Sequence, residues 1–217
     1  MALVMYDLDG TLVDTVEEIS MAVNTTLSQH GHPPITPSKI KMLIGHGTGW
    51  LMKQAWPDTF ESDADEVWAM IMQDFMRNYS RVVGSNSKLY PQVLETLNTL
   101  KERGVKQAVI TNKEEPFTSY VLAQNGIKPF FDMVISGNTF SVKKPDAMMI
   151  NHCIHKLGEH LTDCLFIGDS AIDIETARNA KVTCWAVPYG YNRGKDIRLS
   201  NPDKLIDNIS AALDFFD

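Results

Sequence analysis

Short apolar runs recur along the chain at 3–8, 107–111, 133–136, 164–168 and 182–187. Each is bounded by polar residues or glycine. They are rich in Val and Ile and too short for helices, which is the pattern of buried strands. Helix-length segments lie between the later runs. Residues 91–103 carry Val93, Leu94, Leu97 and Leu100 at helical spacing and stop at Gly104; 114–125 precede Gly126, and 146–157 precede Gly158. Strand and helix in alternation predict an α/β fold, a three-layer Rossmann-like parallel sheet with helices on both faces.

Residues 16–87 break that rhythm. They read as helices only, at 16–30, 37–44, 48–56 and 62–83, with Gly31-His32-Pro33-Pro34 and Gly84-Ser85-Asn86-Ser87 as punctuation. The α/β pattern starts at Leu3, pauses, and resumes at Tyr90. An all-helical module inserted after the first strand explains this better than two tandem domains. The expected division is a core of 1–15 plus 88–217 and an insertion of 16–87. The stripe Ile19, Val23 and Leu27, and the Met- and Trp-rich run with Trp68, Met70, Met72 and Met76, read as the packing core of that insertion.

Composition narrows the function classes. At 217 residues with 44% hydrophobic and 22% charged positions, the chain is long enough for one large core with a smaller module. A net charge of −7 argues against nucleic acid, which is met by basic faces. No stretch approaches the roughly 18 apolar residues of a membrane span, and the chain opens on a strand without the features of a signal peptide. Cys153, Cys164 and Cys184 lack metal-ligand or disulfide spacing and read as reduced core thiols. The expectation is a cytoplasmic protein with no nucleic-acid or membrane partner; nothing in the pattern specifies an oligomer.

Four chemical signals fall where strands are expected to end. The first is Asp7-Leu8-Asp9-Gly10-Thr11. Residues two apart on a strand point to the same side, so Asp7 and Asp9 converge, and Gly10 permits a sharp turn. By average usage this five-residue pattern arises by chance about once in 10⁵ positions, which favours function over an acidic turn. Adjacent carboxylates suit a hard cation such as Mg²⁺. The second signal is Gly168-Asp169-Ser170, with Asp173 one helical turn on; alone it could be helix capping, but beside Asp7 and Asp9 it supplies a third carboxylate, Asp169. The third is Thr111-Asn112-Lys113. The fourth is Lys143-Lys144-Pro145, whose lysine can meet a phosphoryl group among the aspartates. Open α/β sheets place their sites at these strand ends.

In order and spacing, Asp-x-Asp-Gly-Thr, Thr111, Lys144-Pro145 and Gly168-Asp169-Ser170-x-x-Asp173 resemble the four motifs of the haloacid dehalogenase-like hydrolase superfamily. The insertion resembles that superfamily's helical cap. Gly45-His46-Gly47, Tyr90-Pro91, Thr111-Asn112-Lys113 and Tyr189-Gly190-Tyr191-Asn192 resemble its phosphoglycolate phosphatase branch. The resemblance implies a Mg²⁺-dependent phosphatase of a small phosphorylated metabolite. Asp7 would be the nucleophile and Asp9 the acid/base. Mg²⁺ would be held by the Asp7 carboxylate, the Asp9 carbonyl and Asp169. Thr111, Lys144 and Asn112 would hold the phosphoryl oxygens, with Asp173 and Ser170 behind them. Substrate choice would lie in the cap, where Gly45, His46 and Gly47 either set backbone N–H groups over a small carboxylate or form only a helix-helix turn, with His46, Lys53 and Arg77 as cations to inspect.

Gln92 and Lys181 depart from the pattern, each standing where the family commonly has glycine, and Asp146-Ala147 replaces the usual residues after Lys-Pro. Several alternatives share the fold. A phosphatase of another metabolite (a sugar phosphate, a nucleotide or pyrophosphate) would differ in cap contacts, and a phosphoglucomutase-like transferase in how fast water reaches the phosphoenzyme. A non-catalytic binding module would show no magnesium-dependent cleavage of any phosphate. A dehalogenase is excluded by the second carboxylate, Asp9.

Overall fold

A computed structural model describes residues 2–57 and 66–216. The strands are β1 (Leu3–Tyr6), β2 (Val13–Asp14), β3 (Lys88–Leu89), β4 (Lys106–Ile110), β5 (Met133–Ile135), β6 (Cys164–Gly168), β7 (Thr183–Ala186) and β8 (Lys204–Leu205). The helices are α1 (Val16–Gln29), α2 (Pro37–Lys41), α3 (Thr48–Ala55), α4 (Glu66–Val82), α5 (Val93–Glu102), α6 (Phe117–Gln124), α7 (Met148–Leu157) and α8 (Ala171–Ala180). Among the described residues, six strands form one sheet in the order β5-β4-β1-β6-β7-β8, every pair parallel.

Strand alternation builds the layers. Val4 and Tyr6 point to one face and pack with Val93, Leu97 and Leu100 of α5 and with Ile209 and Ala212 near the C-terminus. Leu3 and Met5 point to the other face and pack with Met149, Ile150 and Cys153 of α7 and Ile174 and Ala177 of α8. All three cysteines are buried free thiols. No helix among the described residues is long and apolar enough to cross a membrane.

Helices α1–α4 occupy the insertion and have an apolar cluster of their own, with Ile19, Val23, Leu27, Met52, Trp68 and Phe75 at its centre. Phe117 and Tyr191 reach into it from the sheet-bearing part of the chain. The helix expected at 62–83 is described from Glu66; its first four residues lie outside the described set.

Several boundaries differ from the sequence reading for local reasons. Helix α5 starts at Val93 because Gln92 adopts a left-handed conformation (φ 63°) and ends the preceding turn. Helix α6 starts after Pro116, not at residue 114. Strand β8 and the antiparallel β2–β3 ribbon are two-residue pairings without an apolar run to announce them. The ribbon ties the entry to the helical insertion to its exit, since Val13 pairs with Leu89 and Asp14 with Lys88.

Candidate active site

The sheet's carboxyl edge assembles the site. Tyr6 is level with Val109 on β4 and Ile167 on β6, so Asp7, Thr111 and Asp169 emerge along one edge. The main-chain ladder continues past the strands, Asp7 N–H donating to Ile167 O at 2.9 Å and Thr111 N–H to Ile135 O at 3.0 Å. Gly10 then turns the chain at φ 90°, and the N–H groups of Thr11, Leu12 and Val13 converge on Leu8 O. A Cβ on Gly10 would come 2.5 Å from Asp169 Oδ2, so the position requires glycine for space as well as for conformation.

Asp7, Asp169 and Asp173 are buried together, each with a carboxylate oxygen within 4.8 Å of the others. Their hydrogen bonds separate their roles. Asp173 Oδ2 accepts from Ser170 Oγ at 2.6 Å and from the N–H groups of Ser170 and Asp169, while its Oδ1 accepts from Lys144 Nζ at 2.7 Å. Ser170 is the N-cap of α8 and forms a capping box with Asp173. With its lone pairs taken in this way, Asp173 positions its neighbours. Asp169 accepts from Thr11 Oγ1 at 2.7 Å and from Tyr191 N–H at 2.5 Å. Lys144 Nζ also lies 2.9 Å from Asp7 Oδ1.

The electrostatics suit a cation. Burial pushes the Asp7 carboxyl up to about 6, against the pull of Lys144 and with help from Asp173 and Asp9. Burial and the charges of Asp173 and Asp7 likewise hold Asp169 well above the usual carboxylate range. Oxygen-only donors of this kind, crowded enough to resist ionising together, fit a hard divalent ion that would neutralise them. Burial alone would discharge Lys144, but Asp173 and Asp7 outweigh it and push its pKa up, so it stays cationic.

The carboxylate of Asp9 stands apart from this cluster. It accepts from Thr15 Oγ1 at 2.7 Å and from Lys113 Nζ at 3.0 and 3.1 Å. A cleft in front of Asp7 and Asp9 is lined by Thr111, Asn112, Lys113 and Glu114 from the sheet side and by Ile19, Ile44, Gly45, Gly47, Thr48, Leu51, Phe75 and Tyr79 from the insertion. Asn112 uses its amide on backbone, donating to Gly45 O and Lys144 O and accepting from Lys144 N–H at 2.9 Å. It thereby fixes the lysine loop against the insertion.

The other expected residues fall outside the cleft. His46 stacks on Trp50 with ring centroids 4.6 Å apart and lies 3.0 Å from the Arg193 guanidinium. Burial and Arg193 lower its pKa. Arg77 pairs with Asp74, and the Lys53 ammonium sits over the Trp68 ring. Lys143 pairs with Glu114 at 2.5 Å.

Four residues at the site escaped the sequence reading of roles. Lys113 stands two residues past Thr111, so strand alternation could have pointed to it. Tyr79 accepts a hydrogen bond from Lys113 across the cleft and lay among residues read as packing. Glu18 is fully buried in α1; its Oε2 accepts from Gly84 N–H at 2.7 Å, and its Oε1 has no hydrogen-bond partner among the described residues. Burial pushes its carboxyl up to about 7, with Lys113 opposing. Tyr191 donates to Asp14, and its hydroxyl oxygen accepts from the N–H groups of Thr15 and Val16.

A family profile described as haloacid dehalogenase-like hydrolase matches residues 4–187. The chain belongs to that family. It is 37% identical over 213 residues to phosphoglycolate phosphatase 1 of Pseudomonas aeruginosa, covering 97% of this chain and 78% of that protein. It is 35% identical over 208 residues to a phosphoglycolate phosphatase of Nitrosococcus oceani, covering 95% and 92%. A crystal structure from Haemophilus somnus 129PT, described as a predicted phosphoglycolate phosphatase, superposes with a TM-score of 0.93 at 28% identity over 100% of this chain and 98% of that one.

Proposed function

We propose that the chain is a Mg²⁺-dependent phosphatase that hydrolyses 2-phosphoglycolate through a phosphoenzyme on Asp7. The observation that carries this reading is the placement of Asp7 and Asp9 at one cleft with separate partners. Asp7 shares Lys144 and the acidic cluster, whereas Asp9 is held by Thr15 and Lys113.

The roles follow from that separation. An Asp7 oxygen attacks phosphorus as the ester P–O bond breaks, and Asp9 gives its proton to the leaving alkoxide. Water then attacks the aspartyl phosphate. Asp9 takes that water's proton, and inorganic phosphate leaves with Asp7 restored. Two steps replace one hydrolysis that is among the slowest known without a catalyst. Lys144 and Thr111 hold the transferring oxygens where charge gathers in the transition state. Asp7, Asp169 and the Asp9 carbonyl would hold Mg²⁺, which when bound neutralises charge on the carboxylates and the phosphoryl oxygens.

The helical insertion acts as a cap that reads the leaving group. Its cleft wall is mostly apolar, with Ile19, Ile44, Leu51 and Phe75. Such a wall offers little to a sugar's row of hydroxyls, which would be left unpaired on burial. A short leaving group such as glycolate fits better. The test is a set of phosphorylated metabolites ranked by kcat/KM with and without Mg²⁺. We expect 2-phosphoglycolate to rank first and to require the metal; a sugar phosphate or a nucleotide ranking first would overturn the substrate.

A further inference from the structure

Among the described residues that line the cleft, Lys113 is the only cation. Its ammonium donates to both oxygens of Asp9 and to the hydroxyl oxygen of Tyr79 on α4, and it sits 4.9 Å from that ring's centre. Lys144, by contrast, faces Asp7 and Asp173. The two lysines therefore divide the site, with Lys144 beside the nucleophile and Lys113 on the side of Asp9 that meets the helical insertion. Since Asp9 must reach the leaving oxygen, the rest of the leaving group lies toward the insertion. The cation that lines the cleft on that side is Lys113.

We propose that Lys113 is the specificity-determining residue, pairing with a carboxylate one carbon away from the leaving oxygen. This rests on the phosphatase reading above and names the group that selects its substrate. Lys113 is buried, its ammonium lies against the Tyr79 ring, and the same cleft is lined by Ile19 and Phe75, so an incoming carboxylate gains a charge-assisted hydrogen bond where little water competes. A substrate ending in a neutral hydroxyl can accept one hydrogen bond from the ammonium but brings it no opposite charge.

The experiment compares 2-phosphoglycolate with 2-hydroxyethyl phosphate, which has the same length and a neutral end, in the wild type and in Lys113→Met. We expect the wild type to prefer the carboxylate. In the variant that preference should shrink by about tenfold to a hundredfold, mainly through a higher KM. Equal losses on both substrates, leaving the preference intact, would overturn the proposal and reduce Lys113 to a positioning residue for Asp9. A wild type without the preference would instead sink the choice of substrate. Should Lys113→Met not fold, Tyr79→Phe removes the oxygen that orients the ammonium. Its preference should fall several-fold, and an unchanged preference would overturn the role.

Discussion

Lys144 donates to Asp173 Oδ1 at 2.7 Å, so a carboxylate of the α8 capping box sets the position of the lysine beside Asp7. Asp173 is fully buried and spends its other oxygen on Ser170 and the Asp169 N–H. Local helix chemistry thereby fixes a side chain of the candidate site. Replacing Asp173 by Asn keeps the shape and weakens the hold on Lys144. Activity should fall about 10- to 100-fold, as for other partners that orient a ligand from behind. Lys144→Met removes the charge itself and should cost several orders of magnitude in kcat. A Lys144→Met enzyme within tenfold of wild type would refute the role.

The two departures from the family's glycine pattern carry a stability prediction. Gln92 and Lys181 both adopt left-handed conformations, at φ 63° and 58°. Lys181 does so as the residue that ends α8, where glycine is the usual choice. A non-glycine side chain there costs about 1 kcal/mol. Lys181→Gly should raise stability by several tenths of a kcal/mol or more, measured by urea unfolding. A loss would mean that the lysine side chain contributes more than the strain costs.

Much of the site was legible because it lies on strands. The ends of β1, β4 and β6 were apparent from apolar runs that stop at Asp7, Thr111 and Asp169, and a parallel sheet brings strand ends together. The run of helices α1–α4 was legible as a lapse in the strand rhythm. Glu18 was not, because a glutamate in a helix's first turn reads as solvent-facing until Gly84 and Lys113 are placed against it. Tyr79 was hidden for a similar reason: helical spacing gives the face but not what crosses the cleft. Strand β8, with Lys204 and Leu205 both exposed, has no apolar signature at all.

Glu18 gives a pH dependence. Its carboxyl is raised from 4.5 to about 7 in the folded chain. The folded state therefore binds this proton more tightly than the unfolded state, and the stability it contributes is full below 4.5 and lost as pH rises through 7. Gln cannot ionise. Relative to wild type, Glu18→Gln should gain thermal stability progressively between about pH 5 and about pH 8. A difference in Tm that does not change with pH would contradict the buried, proton-holding environment.

The acidic cluster predicts how metal binding responds to pH. Asp7 holds its proton up to about 6, and Asp169 is raised as well. A metal takes ionised carboxylates, so protons must leave as it binds. Calorimetric affinity for Mg²⁺ should rise between about pH 5 and about pH 7, with proton release visible as a buffer-dependent enthalpy. Chelation should abolish turnover and leave the fold intact. An affinity independent of pH would contradict this reading of the cluster.

In the mechanism proposed above, Asp7 carries the phosphoryl group. Its most direct test is phosphate release from 2-phosphoglycolate by Asp7→Asn in the presence of Mg²⁺, beside a melting curve that reports the fold. The kcat of Asp7→Asn should fall by at least about 10³-fold with a cooperative melt retained. Turnover by Asp7→Asn within about tenfold of wild type would contradict it.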